Sequence, residues 1–212
     1  MSMENNDELL ESARALGASE GDLRERVRDL VTRALVQRRV EPQVIRDVMQ
    51  ATVSGLGDGL RARGALAGAA LKDAVAGLDD AVGRSVYALR MALEEARGQG
   101  REFTEGDIKA TVDAVRELEQ DLLETLKHAA DRSQDWLRDE LHDIRAHLQR
   151  TGTDTGAHVR AVLEAFNNRL SAAASGSGLD VRAAAGQTVE RLSAVASGIL
   201  RGLADAIDAK RP

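Results

Sequence analysis

Apolar residues recur every eleven positions along most of this chain. One series reads Ile45, Leu56, Ala67, Leu78 and Leu89, and a second reads Met49, Leu60, Leu71, Val82 and Leu93. A third runs through Val115, Leu126, Leu137 and Leu148, and a fourth through Val159, Leu170, Val181, Leu192 and Leu203. Eleven residues make three helical turns at about 3.67 residues per turn, close to the natural 3.6, so one stripe stays nearly straight along a helix. A heptad would force a left-handed supercoil instead. The spacing predicts long helices that carry an apolar stripe with little twist. Composition agrees: the 212 residues are 43% apolar but only 2% aromatic, namely Tyr87, Phe103, Trp136 and Phe166. Sheet-containing cores draw heavily on aromatic and β-branched residues, so the chain is expected to be all-α.

Helix breakers divide it. Pro42 fits the first turn of a helix. The stretch Arg97-Gly-Gln-Gly-Arg-Glu-Phe-Thr104 interrupts the pattern, and Thr104 with Asp107 resembles a capping box. Thr151-Gly-Thr-Asp-Thr-Gly156 reads as a turn ending in a cap, and Ser175-Gly-Ser-Gly178 as a kink or an interruption. These marks give an acidic tail and a short helix (about 19–38) within residues 1–41. Residues 42–212 then form a bundle of three long helices over 43–97, 105–150 and 155–209. The first would span roughly 80 Å at 1.5 Å per residue. Short connections favour an elongated antiparallel bundle, with the N-terminal helix across one end. Gly55-x-x-x-Gly59 and Gly64-x-x-x-Gly68 provide small residues for close helix approach.

Charge excludes several classes. The net charge of -6 argues against nucleic-acid binding, which needs a concentrated basic surface. The acidic first 16 residues lack the cationic and apolar regions of a secretory signal. The uncharged apolar run at 65–71 is too short to span a membrane, so a cytoplasmic protein is expected. Between Arg24 and Asp47, seven arginines stand against four acids. Such a helix could dock on an anionic surface or form a solvated, internally paired face.

Chemical motifs are weak. With no cysteine, thiolate metal sites and thiol nucleophiles are impossible. Asp139-x-x-His142 and the Asp143/His147 pair have metal-ligand spacing, but fall away from the stripe of Leu137, Leu141, Ile144 and Leu148. The remaining histidines, His128 and His158, add no matching set. Gly55-Leu-Gly57-Asp-Gly59 lacks the rest of a phosphate-loop signature. The adjacent carboxylates Asp79-Asp80 and Glu94-Glu95 point to different sides of a helix and cannot share a proton within each pair. No catalytic, cofactor-binding or metal-binding residues are assigned, and the chain is expected not to be an enzyme.

The eleven-residue amphipathic pattern resembles that of apolipoproteins, perilipins and the phasins that coat bacterial polyester granules. That resemblance implies helices lying on a lipid or polymer surface. The blocks Ala76-Gly-Leu-Asp-Asp-Ala81, Arg101-Glu-Phe-Thr-Glu-Gly-Asp107 and Ser197-Gly-Ile-Leu-Arg-Gly-Leu-Ala-Asp205 resemble an uncharacterised bacterial family of alanine-rich helical proteins. It implies an all-α fold and no site residues. The expected function is a self-associating structural or interaction protein, a homo-oligomer or a partner of another helix or hydrophobic surface. A granule or lipid coat is the alternative.

Overall fold

The computed structural model describes residues 2–38, 41–63, 67–98, 105–133, 135–173, 194–202 and 205. Seven helices are assigned among them: α1 (Ser2–Ala18), α2 (Leu23–Val36), α3 (Pro42–Arg61), α4 (Gly68–Gly98), α5 (Glu105–Arg132), α6 (Asp135–Thr151) and α7 (Asp154–Ala173). Residues 194–202 are helical as well, and no strand occurs among the described residues.

The expected acidic tail is helix α1. Asp22 caps α2 by accepting the Glu25 N–H at 3.2 Å. Pro42 opens α3, where its missing N–H costs nothing. Gly152, at φ +84°, ends α6, donating its N–H to the Leu148 carbonyl at 2.8 Å.

The long helices expected at 43–97 and 105–150 are not continuous. Residues 62 and 63 donate to the carbonyls of Gly59 and Leu60, tightening the last turn of α3 before α4 begins. The second segment stops at Ser133 and folds back: Arg145 of α6 donates to the Leu123 carbonyl of α5 at 3.2 Å. Of the third, α7 is described to Ala173, and the Ser175–Gly178 break lies outside the described residues, as does Thr104.

Contacts between helices fix their directions. Asn6 meets Arg38 at 2.7 Å and Ser19 meets Arg26 at 2.8 Å, so α1 and α2 form an antiparallel hairpin. Leu10 and Arg14 of α1 meet Gly55 and Gly59 of α3 in the same order, making that pair parallel. Arg24 of α2 meets Gly77 and Asp80 of α4. Arg46 near the start of α3 reaches Glu117 at 2.9 Å and also Asp121, on α5. Helices α1, α3 and α5 run one way, and α2, α4, α6 and α7 the other. The N-terminal hairpin therefore lies along the bundle and not across its end.

The stripe positions form the interior. Ile45, Met49, Leu56, Leu60, Ala67, Leu71, Leu78, Val82, Leu89, Val115, Leu126, Leu137 and Val159 are all buried. Leu148 is half-buried, and Leu93, Leu170, Val181, Leu192 and Leu203 fall outside the described side chains. Glycines bring the helices together. A methyl group at Gly55 or Gly59 would strike the carbonyls of Leu10 or Arg14, and one at Gly77 would strike that of Arg24. The Gly55-x-x-x-Gly59 spacing is thus a close crossing of α1 on α3.

Candidate functional site

The densest polar cluster lies where α7 begins. Asp79, in the middle of α4, is only 5% exposed. Its carboxylate accepts the backbone N–H groups of Asp154 at 2.7 Å and Thr155 at 3.0 Å. An isolated buried carboxylate would be costly, but here it meets the unpaired N–H groups and positive end of a helix. Thr153 completes the cap: its hydroxyl accepts the Gly156 N–H at 2.8 Å and donates to Glu119 of α5 at 2.9 Å. One helix start is thereby fixed to both α4 and α5.

Asp80 points elsewhere, as its position next to Asp79 requires. Arg24 of α2 grips it with two hydrogen bonds, 2.9 and 3.0 Å long. Burial opposes ionisation of Asp80, but hydrogen bonds from Arg24 and Asp154, with the charges of Arg24 and Arg84, hold its carboxyl below the usual range. Asp154 is pushed the opposite way, first by its hydrogen bond with Asp80, then by burial and the charge of Asp79. Of the two carboxyls, Asp154 is the one whose ionisation the pairing disfavours. Asp79 and Asp80 do not pair with each other, as expected, but Asp80 finds a carboxyl partner on another helix.

Next along the same interface, His158 packs edge-on against Tyr87, ring centroids 5.8 Å apart, and Arg90 sits 5.3 Å from the Tyr87 ring centre. Burial, then the charge of Arg90, depresses the His158 pKa. Neither of the cavities described below opens onto these residues. The cluster acts as a joint that fixes α7 and α2 to α4.

The arginine-rich helix is largely engaged internally. Arg24 binds Asp80, Arg26 binds Ser19 and the Glu20 carbonyl, Arg28 binds Asp29, and Arg33 binds the Asp29 carbonyl. Asp139, His142, Asp143 and His147 are exposed on α6. No group of three or more metal-ligating side chains occurs among the described residues. Gly55-Leu-Gly57-Asp-Gly59 lies inside α3 and forms no phosphate loop. Although no Gly-x-Ser-x-Gly elbow is expected from the sequence, Gly17-Ala-Ser19-Glu-Gly21 has that spacing, the one of a hydrolase nucleophile elbow. It forms the α1–α2 turn, where the Ser19 hydroxyl donates to the Leu16 carbonyl at 2.7 Å and accepts from Arg26. No strand precedes it and no histidine bonds it, so the spacing carries no nucleophile.

Two cavities are lined by described residues. One of about 220 Å³ lies where α3, α4, α5 and α6 meet, lined by Arg61, Arg132, Ser54, Leu71 and Leu141 among others. Its Arg61 is paired with Asp58 at 3.0 Å. The other, of about 480 Å³, is a groove between α4 and α6.

A family model matches residues 1–209. The chain belongs to DUF6781, a family of unknown function. Membership in DUF6781 agrees with the expected likeness to an uncharacterised family and assigns no role to the joint or the cavities. No curated protein and no solved structure matches the chain. No helix among the described residues is long and apolar enough to cross a membrane.

Proposed function

We propose that this chain is a non-enzymatic helical interaction protein, a cytoplasmic, bacterial scaffold that associates with itself. The observation that carries this reading is the fate of the eleven-residue stripe. From Ile45 to Val159, every described position of the four series except Leu148 is buried against the chain's own helices. A stripe used in this way builds a packed bundle. The Asp79 cap, the Arg24–Asp80 pair and the Arg46 pairs with Glu117 and Asp121 further oppose opening. Self-association draws on the apolar repeat, whose series continues in sequence at Leu170, Val181, Leu192 and Leu203.

The second reading is a coat on a lipid or polyester-granule surface, supported by the repeat continuing at Leu170, Val181, Leu192 and Leu203. Scarce aromatics and an acidic balance weigh against it. Light scattering after size exclusion, with circular dichroism and flotation on neutral vesicles and polyester granules, separates the two. The scaffold gives a dimer or larger species, a sharp melt and no co-flotation. A monomer that floats with granules and gains helix there overturns it.

A further inference from the structure

Among the stripe positions with described side chains, Leu148 alone is half-buried, and it lines the groove between α4 and α6. The groove floor is aliphatic, made of Val75 and Ala76 of α4 with Ile144 and Leu148 of α6. Its length along α6, residues 143–148, is roughly 8 Å at 1.5 Å per residue, enough for two side chains one helical turn apart. The rim is acidic. Lys72 is committed to Glu140 of α6 at 2.9 Å, and that contact is the main cause of its raised pKa. Asp73 and Asp143 are exposed and form no hydrogen bond or ion pair among the described residues; Asp73 acts on Arg24, and Asp143 on Lys72, only through their fields.

We propose that this groove receives a cationic amphipathic helix of another protein. Two of its aliphatic side chains sit on the floor, and its Lys or Arg side chains pair with Asp73 and Asp143. This names the kind of partner for the interaction-protein reading above and rests on it. Charge complementarity selects the occupant. An anionic lipid surface is repelled by the two carboxylates. The arginine-rich helix α2 of a second copy is a poor occupant because its guanidinium groups are bound to Asp80, Ser19 and Asp29. A foreign helix with free cations meets both the apolar floor and the acidic rim, the arrangement of helix-in-groove recognition.

The test uses the full chain and three labelled 18-residue peptides: a Leu/Lys amphipathic helix, its Leu/Glu counterpart and a scrambled Leu/Lys sequence with no apolar face. Fluorescence anisotropy is read at low and moderate salt, and light scattering on the same samples. The Leu/Lys helix binds with a midpoint on the order of 10 μM, and the other two at least about tenfold more weakly. Asp73→Asn with Asp143→Asn weakens binding roughly tenfold. Asp131→Asn with Glu164→Gln, which removes as many charges away from the groove, changes it less than about twofold. Ala76→Trp fills the groove and abolishes binding; Leu148→Gln does the same at a half-buried position should the first fail to fold.

Equal losses in the two charge variants overturn the proposal. So does binding that survives Ala76→Trp and Leu148→Gln. Dissociation of an oligomer by Ala76→Trp gives the groove to a second copy, and loss of binding to phosphatidylserine vesicles by the same change gives it to a membrane; either overturns it. A monomer that binds the Leu/Lys helix through Asp73 and Asp143 keeps the groove and refutes self-association. An oligomer that binds all three peptides alike does the reverse.

Discussion

Replacing Asp79 by Ala should destabilise the protein more than any other single carboxylate change among the described residues. The side chain accepts two backbone N–H groups, at 2.7 and 3.0 Å, from a site 5% exposed. Loss of an ordinary capping side chain costs about 0.5–2 kcal/mol, and hydrogen bonds to a charged acceptor are worth about 1.5–3 kcal/mol each. The Asp154 N–H lies at an exposed residue and recovers a water, whereas Thr155 is fully buried and its N–H loses its partner. The balance is about 3 kcal/mol, or a fall in Tm of roughly 6–12 °C for a chain of this size. Asp79→Asn keeps one acceptor oxygen and costs about 1 kcal/mol. Urea unfolding followed by circular dichroism measures both, and amide exchange at Asp154 and Thr155 shows whether the start of α7 has opened. Thr153→Ala probes the same helix start, so the double variant should deviate from additivity by more than about 0.5 kcal/mol. A D79A protein within about 0.5 kcal/mol of the parent, with unchanged exchange at Thr155, refutes the cap as a source of stability.

Three further changes probe the packing and the Asp154 carboxyl. Gly55→Ala with Gly59→Ala drives methyl groups into the α1 backbone and should cost about 3 kcal/mol or more, whereas Gly198→Ala and Gly202→Ala, with open space around them, should be neutral or stabilising by about 0.5–1 kcal/mol in thermal melts. Leu78→Asp or Leu126→Asp buries an unpaired charge and should unfold the chain by circular dichroism, while Glu164→Gln, exposed on α7, should leave the melt unchanged; Asp80→Asn should lose about 1 kcal/mol with its Arg24 pair. Because the folded state raises the Asp154 pKa, stability from its proton is present below the ordinary carboxylate range and lost as pH rises through the raised value. Asp154→Asn should therefore be more stable than the parent near pH 7, and urea midpoints should converge as pH falls toward about 4; a constant gap across that range rules out the raised Asp154 pKa.

What the sequence made legible, and what it hid, follows from what an eleven-residue phase measures. Ile45, Leu56, Ala67, Leu78 and Leu89 were readable as interior positions because the phase of an apolar stripe reports which side of a helix is buried. It does not report whether the chain runs straight or folds back. Leu60 ends one arm of a hairpin and Leu71 begins the other, yet both face one core, so the series stays apolar across a turn that halves the helix. Two local signals stood at the turns: Gly55, Gly57, Gly59, Gly64 and Gly68 crowd the first, and Ser133-Gln-Asp135 before Trp136 and Leu137 has cap-like chemistry at the second. Glycine density was ambiguous because the same residues serve a second purpose, the crossing of α1 over α3. The joint at Asp79 was hidden for a different reason. That adjacent carboxylates diverge on a helix follows from helical geometry, but what each one meets is set by the register of α4 against α2 and α7. That register depends on Gly77 and Gly83 admitting their neighbours, so it is decided by side chains far apart in sequence. A carboxylate in phase with the apolar face of α4, as Asp79 is with Val75, Val82 and Val86, was the one available sign that a helix end had to lie across from it.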